Sequence, residues 1–156
     1  MKKIFGIIVL IALTMAVGCA SLTPDVVKEI ILDKTYNIVF EDKPDILKNE
    51  VYANGIEIGK VVDKTLASNN MVVVKISVKN EYDALMKDNV VFFVSDGRLE
   101  YDKVGEEGKP LAEGAKILGF TGKTSLYIFK TKSKVKNLAG DAMNKAEELY
   151  NNAFGK

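Results

Sequence analysis

Cys19 is the only cysteine in the chain, and histidine is absent. A lone thiol excludes an intrachain disulfide. Without imidazole there is no Ser-His-Asp or Cys-His nucleophile and no histidine metal ligand. Other candidate chemistry is thin. Gly122-Lys123-Thr124 has the ending of a phosphate-binding loop, but that motif needs a glycine where Ile117 stands and a helix behind it. Ser125 to Phe129 reads instead as a strand, so no nucleotide site is expected. Carboxylates pair at Glu41/Asp42, Glu100/Asp102 and Glu106/Glu107. Acid–base work on a glycoside needs two carboxyls facing across a cleft, and neighbouring residues on a solvated loop or strand face are the simpler reading. Gly55 and Gly59 share the spacing of a membrane-helix dimer motif but lie in a hairpin with Glu57 and Lys60. Calcium would want a denser Asp/Asn loop. The expectation is a non-enzyme with no cofactor and no metal.

Cys19 has a context that gives it a different role. Lys2-Lys3 form a positive start, Ile4 to Val17 an apolar run of about 14 residues, and Gly18-Cys19-Ala20-Ser21 a small-residue stop. A spanning helix wants about 20 apolar residues. Ala16-Val17-Gly18-Cys19 resembles the bacterial lipobox, with alanine where leucine is usual. Residues 1–18 are therefore expected to be a cleaved lipoprotein signal, and Cys19 the lipid-modified first residue of the mature chain. The alternative is an uncleaved anchor helix. Acyl chains contribute about 0.8 kcal/mol per buried methylene, so a triacylated Cys19 would hold the protein on a membrane of the cell envelope, facing the periplasm. Ala20 is not the aspartate that retains enterobacterial lipoproteins at the inner membrane, which leans the placement towards the outer one.

The chain has 156 residues, and about 138 remain after the signal, enough for one domain with a real core. Basic and acidic residues number 22 and 21, so no basic footprint points to nucleic acid. Losing Lys2 and Lys3 takes the formal charge from +1 to −1.

The elements that would carry any site follow from periodicity. Residues 19–34 are expected to form a tether, with a turn of helix opened by Pro24-Asp25 through Val26, Val27, Ile30 and Ile31. Tyr36, Ile38 and Phe40 alternate as a strand, and Glu41 to Lys48 is a polar loop. Asn54-Gly55 and Asp96-Gly97 are two-residue hairpin signals. Ser68 to Asn70 is a turn. Met71 to Val78 and Val90 to Val94 are strands, Glu81 to Lys87 a helical turn or loop, and Gly105 to Gly114 a loop. Ile117 to Phe120 and Leu126 to Phe129 close a β domain over 35–131. Lys130, Lys132, Lys134 and Lys136 alternate across the junction that follows. They serve either as a like-charge strand edge that blocks aggregation or as a contact for anionic headgroups. In 132–156, Val135, Leu138, Ala142, Ala146, Leu149, Tyr150 and Ala153 share one stripe, predicting an amphipathic helix over Lys134 to Asn152. The fold class is all-β, with about seven short strands in a barrel or sandwich and a C-terminal helix.

One stretch is more specific. It runs from Tyr36-Asn37-Ile38-Val39-Phe40-Glu41-Asp42, through a loop ending at Val51, to Asn54-Gly55-Ile56-Glu57-Ile58-Gly59-Lys60-Val61. Met71 to Val78 and Leu111-Ala112-Glu113-Gly114-Ala115-Lys116-Ile117 follow in order. This resembles the start, valine-rich strand and late turn of the MCE (mammalian cell entry) domain family, over Tyr36 to Phe120. The resemblance implies a small seven-stranded β-barrel assembled as a homohexameric ring. Such a ring shields phospholipid or other hydrophobic molecules moving between bacterial membranes, with a separate permease and ATPase supplying energy. It also implies a lipid-contacting pore loop, which maps to Asp96, Gly97, Arg98, Leu99 and Tyr101. Arg98 and Glu100 depart from the apolar pattern, and an arginine there suits a phosphate headgroup. The competing expectation is a structural or adaptor lipoprotein that binds another envelope protein.

Overall fold

The computed structural model describes residues 33–67, 70–132 and 138–155. The signal, Cys19 and the tether to residue 32 lie outside them, as do Ser68-Asn69 of the expected turn and Lys134 and Lys136. Among the described residues no helix is long and apolar enough to cross a membrane.

Seven strands close into one barrel: β1 (Lys34–Phe40), β2 (Glu50–Ala53), β3 (Ile56–Leu66), β4 (Val72–Val78), β5 (Val90–Ser95), β6 (Arg98–Lys103) and β7 (Lys116–Phe120). They run round in the order β1-β4-β3-β2-β6-β5-β7 and back to β1. β7 lies parallel to both β1 and β5, and β2 parallel to β6; the remaining pairs are antiparallel. Both hairpin signals hold. Asn54 and Gly55 have φ of 51° and 82°, and Asp96 and Gly97 have 51° and 73°, the left-handed pair that a type I′ turn requires.

Alternation sorts each strand into two faces. Tyr36, Ile38 and Phe40 of β1, Val74 and Ile76 of β4, Phe92 of β5 and Leu99 of β6 fill the interior. Gly119 of β7 leaves room for the Phe40 ring, since a Cβ there would stand 2.7 Å from it. The barrel is therefore a packed core. Its outer face at Val39, Val73, Val91, Phe93 and Leu118 is also buried, under a second apolar cluster. That cover comes from two helices, α1 (Lys123–Lys132) and α2 (Leu138–Phe154).

α2 lies on its own barrel. Its stripe of Ala142, Ala146, Leu149 and Ala153 packs with Leu118 and Val39. The alanines allow close approach to the sheet, and Lys116–Glu147 (2.6 Å) and Lys145–Glu41 (2.9 Å) tie its flanks down.

α1 corrects the strand expected at Leu126 to Phe129. The chain turns at Gly122, whose N–H reaches Ser125 Oγ at 3.3 Å while that hydroxyl donates back to the Gly122 carbonyl at 2.8 Å. Ser125 thus satisfies the Gly122 N–H from the third helical position, one half of a capping box, where the helix starts. A short apolar run such as Leu126-Tyr127-Ile128-Phe129 is ambiguous in period, and a closed barrel has no edge left for another strand. Leu126 turns inward and Tyr127 is exposed. The strand-edge reading of Lys130 and Lys132 is corrected with it. Lys130 and Lys132 close the last turn of a helix, where cations complement the macrodipole, and Lys130 pairs with Asp102 at 2.8 Å. One ground against a phosphate loop at Gly122-Lys123-Thr124 thus falls, but the glycine missing at Ile117 and a connection of only Thr121-Gly122 after β7 leave no cradle.

Candidate functional site

The pairing registers give the barrel two distinct mouths. One carries the start of β1, the Asn54-Gly55 turn and a short 3-10 helix, Asn80–Leu85. The described chain begins at this mouth, at Asp33. The other carries the end of β1, the loop 41–49, the end of β3 and the Asp96-Gly97 turn.

At the first mouth Tyr36 and Lys34 converge on Asp83. The tyrosine hydroxyl donates to Oδ1 at 2.7 Å and the lysine ammonium to Oδ2 at 2.6 Å. Burial pushes the Asp83 carboxyl up, but the hydrogen bonds from Lys34 and Tyr36 and the lysine charge outweigh it and hold it below its ordinary value. Burial, then the hydrogen bond and charge of Asp83, push the Tyr36 phenol well above its ordinary value. All three groups are mutually satisfied, so the cluster clamps the 3-10 helix to β1.

The second mouth holds the residues expected to contact lipid. Asp96 and Gly97 form the hairpin turn itself. Arg98 follows on the outer face of β6, its Nε 2.8 Å from Glu100 Oε1 and its guanidinium carbon 4.3 Å from the Tyr52 ring centroid. Leu99 (0% exposed) and Tyr101 (9%) point into the barrel and belong to the core. Tyr101 meets Phe92 edge-on at 6.1 Å; burial, then the charge of Asp102, raises its pKa. The alternation of a strand thus divides the five: Asp96, Gly97 and Arg98 are at the surface, and Leu99 and Tyr101 are inside.

Beside this turn lies a feature that the reading of 41–48 as a polar loop missed. Leu47 N–H and Lys48 N–H both donate to the Gly97 carbonyl at 2.8 Å. The Leu47 side chain lies over Gly97, where a Cβ would stand 3.0 Å from it. Ile46 turns inward to plug the mouth, while Leu47 is 77% exposed. Between this loop and the ends of β3 and β4 opens a cleft of about 410 Å³, with Pro44, Ile46, Leu47, Leu66 and Val72 as its apolar lining. Lys43, Asp45 and Lys64 stand among the lining residues. Lys64 Nζ donates to the Ile46 carbonyl at 2.9 Å. Among the described residues neither Lys43 nor Lys64 has a carboxylate partner. The signal in the sequence was the pair Ile46-Leu47 inside a charged loop, too short to carry a period.

The carboxylates do not assemble. Glu41 pairs with Lys145, Glu100 with Arg98 and Asp102 with Lys130, and Glu100 and Asp102 share the outer face of β6. No family model matches the chain, and no curated protein matches it.

Proposed function

We propose that the protein is a lipid-binding component of a bacterial envelope, held on a membrane through Cys19 and facing the periplasm, where it shields phospholipid or another hydrophobic molecule in transit. The carrying observation is the apolar cleft beside the Asp96-Gly97 turn. Its volume of about 410 Å³ falls within the ~300–1,000 Å³ of small-molecule sites. Leu47 and Leu66, 77% and 67% exposed, are large apolar side chains left in water until something covers them. Side chains fill the barrel interior, so an acyl chain binds outside it. Asp33, the first described residue, lies at the mouth opposite the cleft.

The order of MCE-like motifs supports a homohexameric ring that hands lipid to a separate permease and ATPase. Shielding of this kind is passive and needs no catalytic group. A native mass spectrum of the full-length protein, extracted from membranes in mild detergent, tests the reading. The expected species carries an acylated Cys19 and bound lipid, with the mass of six chains for the ring. Unmodified Cys19 and a chain free of every lipid would overturn the proposal. A stable protein partner in place of lipid would turn it into the adaptor reading.

A further inference from the structure

We infer that the cleft takes one single-chain carboxylate amphiphile, a long-chain fatty acid, with its chain along Leu47, Leu66 and Val72 and its head at Lys43 and Lys64. This rests on the lipid-binding reading and narrows it to a ligand class. Size argues for one chain. At about 410 Å³ the cleft lies towards the lower end of the ~300–1,000 Å³ of small-molecule sites. The paired chains of a membrane phospholipid, each crossing about half of the ~30 Å hydrocarbon core, exceed it.

Charge argues for the head. Lys43 and Lys64 against Asp45 leave the lining with one net positive charge, which a carboxylate neutralises and a phosphomonoester dianion overshoots. A zwitterionic head leaves that charge uncompensated. Arginine is the residue suited to bidentate phosphate recognition, and Arg98 is engaged with Glu100 outside the cleft. Lysine is a compact point charge with no bidentate fork, so the choice of a carboxylate rests on the single net charge of the lining. Lys64 is already anchored on the Ile46 carbonyl, which sets its ammonium beside the apolar wall.

The test is native mass spectrometry of the full-length protein in mild nonionic detergent. Palmitate, lysophosphatidylcholine, lysophosphatidate and dioleoyl-phosphatidylglycerol are each added at equal concentration. Leu66→Glu and Lys43→Glu are run beside the unmutated chain, with circular dichroism melts as the fold control. Both side chains are exposed, so unchanged melts are expected. The expected result is one palmitate per chain, at least tenfold preferred over each of the other three. Leu66→Glu lowers occupancy at least tenfold and Lys43→Glu about threefold. If phosphatidylglycerol or a lysolipid binds as well as palmitate and Leu66→Glu abolishes it, the cleft is a lipid site and the carboxylate assignment is wrong. Palmitate binding untouched by both variants places the fatty acid elsewhere and overturns the inference while lipid binding stands. A chain that holds none of the four overturns both.

Discussion

Asp83 and Tyr36 make opposite demands on pH. The Asp83 carboxyl is held below its ordinary value because the hydrogen bonds from Lys34 and Tyr36 and the lysine charge outweigh its burial. Its contribution to stability is therefore complete above about pH 4, the unfolded value, and is lost as pH falls through the folded one. The Tyr36 phenol is raised, chiefly by burial and then by Asp83. Its contribution is complete below about pH 10 and is lost above, where the unfolded chain ionises first. Thermal melts across pH are expected to show the unmutated protein losing stability more steeply than Asp83→Asn from pH 5 to 3, and more steeply than Tyr36→Phe above pH 10. Parallel curves would show that the clamp contributes nothing. Tyr36 was legible in the sequence as an inward strand residue, but Asp83 stood in a stretch left open between helical turn and loop. A contact 47 residues apart has no local signature.

At the scale of elements, α2 depends on small residues. Ala146 is fully buried between the helix and β7. Ala146→Asp places an unpaired charge there and is expected to lower stability by about 3 kcal/mol or more. Amide exchange should then rise in α2 and in the outward positions of β7, while β2 and β3 keep their protection. Uniform loss across the barrel would mean that α2 is part of one cooperative unit with every strand. The stripe that makes this helix was plain from spacing, and so was its amphipathic character. Whether the stripe meets a barrel or a bundle of copies was open, because a row of alanines suits either. At α1 a run of four apolar residues carried too little period to separate strand from helix, and the Gly122–Ser125 cap decided it.

For the whole molecule, closure sets how copies can meet. Every strand has two hydrogen-bonded neighbours, so no edge is open for strand addition. The proposed ring must join through side-chain surfaces. Diluting it until the native mass falls to one chain is expected to leave the amide I spectrum and strand amide protection unchanged. A gain of exposed strand amides on dissociation would show instead that the barrel opens to assemble.

What the sequence determined alone is what local repetition can encode. The period of two, the Asn54-Gly55 and Asp96-Gly97 turns and the late alanine stripe require strands, hairpins and a terminal helix, whatever they pack against. The lone Cys19 behind an apolar run is equally local, and it makes the expectation of a lipid anchor. Tertiary structure decided what depends on closure. Leu99 and Tyr101 looked like members of one surface loop with Arg98, and the alternation of a closed barrel put them inside it. Leu47 looked like a residue of a polar loop. It became part of an apolar cleft only when the chain brought Leu66, Val72 and Gly97 beside it, because a cleft is made by residues distant in sequence and no spacing along the chain records it.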